Sequence, residues 1–123
     1  IEEEYQPKVE SKIEIKKENL DAIFRGMFLV TTGPRGTLRS YFKDFPVNVA
    51  AKSGTAQQSS KRSEHTTFVA FAPLEDPQIS VCVIIPFGNG TTGPAPKVAK
   101  AAISEYLKLD YESELKSYDT LLH

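Results

Sequence analysis

Several residue types are scarce in this 123-residue sequence, and each shortage excludes a class of protein. A single cysteine, Cys82, excludes a disulfide within the chain. No apolar run approaches the roughly 20 residues that cross a bilayer. The 15 basic and 16 acidic residues nearly cancel to a net charge of -1, which gives no reason to expect a nucleic-acid partner. A hydrophobic content of 40% is enough for one small packed domain.

Periodicity predicts the order helix, three strands, helix. Apolar residues recur at helical spacing from Leu20 to Phe28, so we predict a helix over about 17–32, ended by Gly33-Pro34. Residues 8–15 alternate as a short extended segment, and 34–46 read as a loop. Strands are expected over about 47–57, 66–72 and 79–85, a helix over about 95–109, and a charged tail over 110–123. The predicted class is α+β: a three-stranded antiparallel meander packed with N- and C-terminal helices.

The third predicted strand is apolar at nearly every position from Ile79 to Ile85. Such a strand is typically covered on both faces and lies centrally in its sheet. We therefore expect Cys82, which lies within this run, to be a buried and unreactive thiol.

The first predicted strand carries a group of residues suited to binding a carboxylate. Its apolar start leads into Lys52-Ser53-Gly54-Thr55, which offers one cation, two hydroxyls and strand N–H groups. Gly54 has no Cβ, so a ligand backbone can approach the strand there. A peptide-like molecule with a carboxylate fits this set. The same four residue types also occur in ordinary strands that end in a turn, so the tetrapeptide alone is weak evidence.

The tetrapeptide resembles the third active-site motif of penicillin-binding proteins and serine β-lactamases. Further stretches, in the same order as in class B penicillin-binding transpeptidases, extend the resemblance over about residues 8–109. They are Gly26 to Val30 with Gly36-Thr37, Ala51 to Gln57, His65 to Pro73, Asp76 to Val81, and Gly93 to Val98. The first and third of these favour the elongation-type transpeptidases over the β-lactamases.

Two other motifs of the family, both expected well upstream of the lysine motif, are not recognisable. Ser-x-Asn is absent, and Ser-x-x-Lys occurs only at Ser40 to Lys43 and Ser113 to Lys116. The first lies too close to the lysine motif and the second follows the last helix, so we interpret both as coincidence. With Ile1 in place of a starting methionine, the sequence is expected to be the C-terminal portion of a transpeptidase domain over 1–123, without the nucleophile.

The resemblance implies a fragment of a five-stranded penicillin-binding fold and a parent D,D-transpeptidase that cross-links peptidoglycan stem peptides. In that parent, Lys52 provides charge for catalysis and the Thr55 N–H is one of two oxyanion donors. Ser53, Gly54 and Thr55 bind the D-Ala–D-Ala substrate or a β-lactam. Losing one oxyanion donor typically costs about 3 kcal/mol, so the fragment alone is expected to be inactive. We interpret His65, at a strand start, as a structural or rim residue rather than a base.

The resemblance also implies partners and a location. The partners are stem peptides, β-lactams and the remainder of the transpeptidase domain, with no nucleic acid, cofactor or metal. The parent is expected to be membrane-anchored with its catalytic domain outside the cytoplasmic membrane, and the fragment itself soluble. The strand that pairs with 79–85 in the family is missing here, so we expect this edge to pair with a second copy. A β-lactam sensor, a class D-like β-lactamase fragment and a non-enzymatic interaction module remain alternatives.

Overall fold

Three helices and three strands make up the regular structure. The computed structural model describes residues 6–57, 63–88 and 93–109. In chain order the elements are α1 (Lys17–Thr32), α2 (Arg39–Phe42), β1 (Ala50–Ala56), β2 (His65–Ala72), β3 (Ile79–Ile85) and α3 (Ala95–Tyr106). None of the described helices is both long enough and apolar enough to cross a membrane.

The strands form one antiparallel sheet in the order β1-β2-β3. Its register places Lys52 opposite Val69, which in turn lies opposite Cys82. Because side chains alternate along a strand, these three residues share one face of the sheet. The predicted α+β class and the three-stranded meander are confirmed.

The other face of the sheet is covered and forms the core. Phe68, at the centre of the middle strand, is 1% exposed and stacks on Phe42 of α2, with ring centroids 6.4 Å apart. The helix α3 packs on β2 and β3 and adds Ala99 and Ile103, which are fully buried. The apolar faces of two helices and one side of the sheet therefore share a single core.

We call the opposite side of the sheet the open face, formed by Lys52, Gly54, Thr67, Val69, Cys82 and Ile84. One end of this side is covered, since Phe24 of α1 contacts Phe71 edge-on with ring centroids 5.0 Å apart. Beyond that contact, Val69 is 41% exposed and Ile84 is 65% exposed. The expectation of a buried Cys82 is wrong, because its side chain lies on this face and is exposed. The strand β3 is covered on one face only and is an edge strand among the described residues.

The strand β1 begins at Ala50, three residues later than predicted. The preceding residues are held by contacts other than strand pairing: the Leu74 N–H donates to the Asn48 carbonyl at 2.9 Å, and the Thr31 hydroxyl donates to the Val49 carbonyl at 2.6 Å. Thr31, at the end of α1, is 1% exposed. The start of β1 is thus fixed to α1 on one side and to the β2–β3 turn on the other.

A second contact joins the β2–β3 turn to the residue pair before β1. The Asn48 side-chain amide donates a hydrogen bond to Glu75. This bond, together with one from the backbone N–H of Glu75 itself, holds the pKa of the Glu75 carboxyl below its ordinary value of 4.5. The charged form of Glu75 is therefore the one that the fold favours.

The helix α3 ends at Tyr106 rather than at the predicted residue 109. Lys108 adopts a left-handed backbone with a φ of 54°. The Leu109 N–H donates to the Ser104 carbonyl at 2.9 Å and the Lys108 N–H to the Glu105 carbonyl at 3.3 Å, the two bonds of a Schellman motif. This closure stops the helix before the charged tail, which lies outside the described residues.

Two further predictions differ from the structure. Part of the predicted loop 34–46 is the short helix α2, because Leu38 and Phe42, four residues apart, both point into the core. The alternating segment 8–15 has no strand partner among the described residues and is exposed. Since this segment pairs with no strand in the described part of the chain, its alternation alone does not produce a strand.

Candidate functional site

Lys52 lies on a strand, as predicted, and its side chain is on the open face. The residue is exposed, and its ammonium donates a hydrogen bond to the Ser53 carbonyl at 2.5 Å. The ammonium therefore already lies beside the backbone of its own strand. A carboxylate that approaches this strand would meet a positive charge and, next to it, main-chain groups.

The two hydroxyl residues of the motif point to the side away from Lys52. Ser53 is 9% exposed, and it lies opposite Phe68 on the core face. Thr55 is on the same side by alternation, but it is exposed because it lies near the end of β1. The structure thus brings Lys52 and Gly54 together on the open face and does not bring Ser53 to them. The binding roles of Ser53 and Thr55, and the oxyanion role of the Thr55 N–H, stay predictions.

Gly54 has a neighbour that the sequence did not reveal. It lies opposite Thr67, and a Cβ added at Gly54 would meet the Thr67 hydroxyl well inside 3.0 Å, a separation that real Cβ atoms essentially never show. The space at this glycine is therefore already occupied by the next strand. Sequence reasoning missed Thr67 because the register of β2 on β1 cannot be read from composition.

His65 contacts the turn that follows β3. Its Nδ1 accepts a hydrogen bond from the Phe87 N–H at 3.2 Å, and the two rings lie 4.8 Å apart. The backbone of Phe87 is left-handed, with a φ of 56°, which favours glycine. His65 thus supports this corner, and in the neutral ring the accepting Nδ1 leaves the proton on Nε2. The interpretation of His65 as a structural or rim residue rather than a base stays a prediction.

The Ser-x-x-Lys sequence at Ser40 lies on the wrong side of the sheet for a nucleophile. Ser40 belongs to α2, whose Phe42 packs against Phe68 on the core face, whereas Lys52 lies on the open face. The sheet therefore separates the Ser40 hydroxyl from the lysine. This placement supports the interpretation of the motif as coincidence; Ser113 lies outside the described residues.

Two grooves lie away from Lys52, near the end of α1. One, of about 330 Å³, runs from Gly26 to Thr37 along the helix end and the following turn. The other, of about 430 Å³, has Arg39, Ser40 and Lys43 in its wall. Neither groove is lined by a residue of the lysine motif, so neither is the candidate site, which we place on the open face and the edge of β1.

Comparison with known families decides where the chain belongs. The penicillin binding protein transpeptidase domain matches it over residues 1–105. The chain belongs to this family. Among curated relatives, penicillin-binding protein 2B of Streptococcus pneumoniae is 30% identical over 86% of the chain, and the peptidoglycan D,D-transpeptidase MrdA of Escherichia coli is 34% identical over 68% of it. These alignments cover 16% and 15% of the two relatives, so the chain spans about a sixth of their length.

A solved penicillin-binding protein has the same fold. The structure of Pseudomonas aeruginosa PBP2 in complex with WCK 5153 superposes on 89% of the chain with a TM-score of 0.75 and 35% identity, and the match covers 24% of the PBP2 chain. The expected family, the class B penicillin-binding transpeptidases, is confirmed by these relatives. The sheet and its flanking helices are therefore one part of a penicillin-binding transpeptidase fold.

Proposed function

We propose that this chain is the lysine-motif part of a peptidoglycan D,D-transpeptidase and binds the carboxylate end of a stem peptide. The observation that carries the proposal is the position of Lys52, which is exposed on the open face of β1. The edge of β1 that faces away from β2 is not paired by any described residue. An extended peptide adds to such an edge through main-chain hydrogen bonds. A lysine beside the edge then fixes the terminal carboxylate.

In the proposed reaction, a serine from the rest of the protein attacks the D-Ala–D-Ala amide carbonyl. The serine Oγ–C bond forms, the amide C–N bond breaks, and the serine proton leaves on the amine of the released D-alanine. An amine of a second stem peptide then forms a new C–N bond as the C–Oγ bond breaks, and its proton returns to the serine. Lys52 holds the carboxylate, and the Thr55 N–H donates to the carbonyl oxygen as it gains negative charge.

The same proposal names the other partners. A β-lactam would occupy the substrate position and acylate the same serine, with its carboxylate on Lys52. The rest of the transpeptidase domain would supply the serine and cover the open face, on which Val69 and Ile84 are exposed here. The whole protein would be anchored in the cytoplasmic membrane with this part on its outer side.

The test is acylation by a fluorescent penicillin, measured on the protein that contains this chain together with its upstream transpeptidase region. A hydrogen bond to a charged group contributes about 1.5–3 kcal/mol, so we expect Lys52→Ala to lower the acylation rate roughly 10- to 100-fold. Lys43→Ala, an exposed lysine of the coincidental motif, is the matched control and should leave the rate unchanged. Equal rates for both variants would contradict the role of Lys52, and rapid turnover of the penicillin would indicate a β-lactamase instead.

The 123-residue chain alone should form no covalent adduct with penicillin. Of the two serines in Ser-x-x-Lys sequences, Ser40 lies in the described part of the chain, and it is across the sheet from Lys52. Intact-mass spectrometry after incubation with penicillin should therefore show unmodified chain. A stable adduct mapped to Ser40 or Ser113 would refute this expectation.

The chain alone should also self-associate through β3. No described residue pairs the outer edge of Ile79–Ile85, and the open face beside it exposes Ile84. Unpaired apolar edges recruit other strands. Sedimentation velocity should show a dimer or larger species as concentration rises. A monomer at high concentration, with freely exchanging amides at Val81 and Val83, would contradict the pairing.

A further inference from the structure

The lysine motif contains a glycine whose backbone does not require one. Glycine is usually needed where φ is positive, but Gly54 has no φ in the left-handed region and lies within the regular strand β1. Glycine in the interior of a strand also weakens it, since it has no side chain to pack. The reason for glycine at position 54 must therefore lie in the surroundings of the missing Cβ.

The three atoms nearest to this missing Cβ all belong to Thr67. The Thr67 hydroxyl occupies the space into which a Cβ at Gly54 would extend, whereas the Thr67 Cβ lies at 3.7 Å, an ordinary contact. Threonine carries two heavy atoms on Cβ, so only one of its three staggered χ1 rotamers would direct a hydrogen rather than the hydroxyl or the methyl group toward Gly54. A side chain at position 54 would therefore either force Thr67 into that one rotamer or push β1 away from β2.

This contact lies beside the proposed chemistry. Gly54 follows Lys52 on the open face, and Thr55 is its neighbour in sequence. A displacement of β1 at Gly54 would therefore move both the lysine and the Thr55 N–H. A misplacement of about 1 Å in a positioned group can cost about 100-fold in rate.

We propose that Thr67 is a positioning residue of the lysine motif. Its hydroxyl fills the space beside Gly54 that a Cβ would take, and the pair sets the separation of β1 from β2 on the open face. In this way Thr67 fixes where Lys52 and the Thr55 N–H meet the substrate, without touching the substrate itself. The inference rests on the proposed function, because it assigns the pair a role in the same acyl transfer.

The experiment is a double-mutant cycle on the protein that contains this chain and its upstream transpeptidase region, with fluorescent-penicillin acylation and thermal melting as readouts. We expect Gly54→Ala to lower the acylation rate at least roughly tenfold and Thr67→Ala, which removes the positioning hydroxyl, to lower it by a smaller factor of about three. The double variant Gly54→Ala/Thr67→Ala should recover most of the lost rate, because the added methyl group then meets only a Cβ. Gly54→Ala/Thr67→Val is the matched control and should not recover, since valine refills the space of the hydroxyl.

Each outcome decides between explanations. If Gly54→Ala fails to fold, recovery of folded, acylated protein in the Gly54→Ala/Thr67→Ala variant supports the proposal. A double variant that folds but stays inactive would show that the substrate, not Thr67, requires the glycine. A double variant that still fails to fold would equally overturn the proposed contact between Gly54 and Thr67. A loss of acylation with Thr67→Ala as large as that with Gly54→Ala would indicate direct substrate contact. If the unmodified protein is not acylated at all, the proposed function fails, which is a different result from failed rescue.

Discussion

Replacing Lys108 with glycine should stabilise the chain. Lys108 occupies the position of a Schellman motif that glycine usually takes, with a φ of 54° and the closing bond from Leu109 to Ser104 already formed. A side chain in this left-handed conformation costs about 1–2 kcal/mol, because Cβ approaches the following carbonyl. Lys108→Gly removes that cost and leaves the two closing hydrogen bonds, which are made by the backbone.

Two opposing effects reduce the gain. Glycine is more flexible in the unfolded chain, which costs about 0.5–1 kcal/mol. The variant also loses the ion pair of Lys108 with Glu105 at 2.9 Å, in which both side chains are about four-fifths exposed. Such exposed pairs contribute only about 0.2–0.5 kcal/mol. We therefore expect a net stabilisation of about 0.5 kcal/mol, or a melting temperature roughly 2 °C higher.

The assay is urea denaturation at low protein concentration, where the proposed association through β3 would be weakest. Lys108→Ala is the control, because it loses the same ion pair but keeps a Cβ in the left-handed position. Lys108→Gly should have a higher urea midpoint than both the control and the unmodified chain. A midpoint for Lys108→Gly equal to or below that of Lys108→Ala would refute the left-handed cost as the dominant effect.

Two more predictions concern the core and the β2–β3 turn. Phe68→Ala should lower the free energy of unfolding by about 3–5 kcal/mol, because a ring that is 1% exposed and stacked on Phe42 is lost from a small core. Circular dichroism should then show a largely unfolded chain. A cooperative melt near that of the unmodified chain would contradict this. The pKa of Glu75 is lower in the folded chain than its ordinary 4.5. The charged carboxylate therefore stabilises the fold above pH 4.5, and this contribution is lost as the pH falls through the pKa of the folded chain. In Glu75→Gln and in Asn48→Ala, the urea midpoint should therefore fall less steeply below pH 4.5 than in the unmodified chain. An unchanged pH profile in both variants would refute the contact.

The sequence predicts this fold well wherever a period is strong. The apolar spacing from Leu20 to Phe28 placed a helix over 17–32, and the structure has α1 over Lys17–Thr32. Predictions fail at the ends, where main-chain hydrogen bonds decide: Thr31 and Leu74 bond the residues before Ala50, and a local motif at Lys108 closes α3 early. Side-chain periodicity carries no information about such main-chain contacts.

The candidate site was predictable in part. The residue types of the motif placed Lys52 on an exposed strand, but they did not show that Ser53 turns to the core, because that depends on which face the helices cover. The apolar run around Cys82 predicted that both faces of β3 are packed against other elements. Periodicity cannot tell which segment would pack against each face. The contact of Gly54 with Thr67 depends on strand register, and the connection between the two strands hides that register from sequence alone.

The contacts at Asn48 and Val49 have a consequence for the motion of the lysine strand. At its start, β1 is fastened to α1 through Thr31 and to the β2–β3 turn through Leu74, whereas its last residues, from Thr55 on, are exposed. Pairing with β2 holds the whole strand, but only its first residues are held by these further contacts, so the amplitude of its fluctuations should grow toward Ala56. Opening of this strand should therefore start beside Thr55 and reach Ala50 last, so that amide protection falls from one end of the motif to the other.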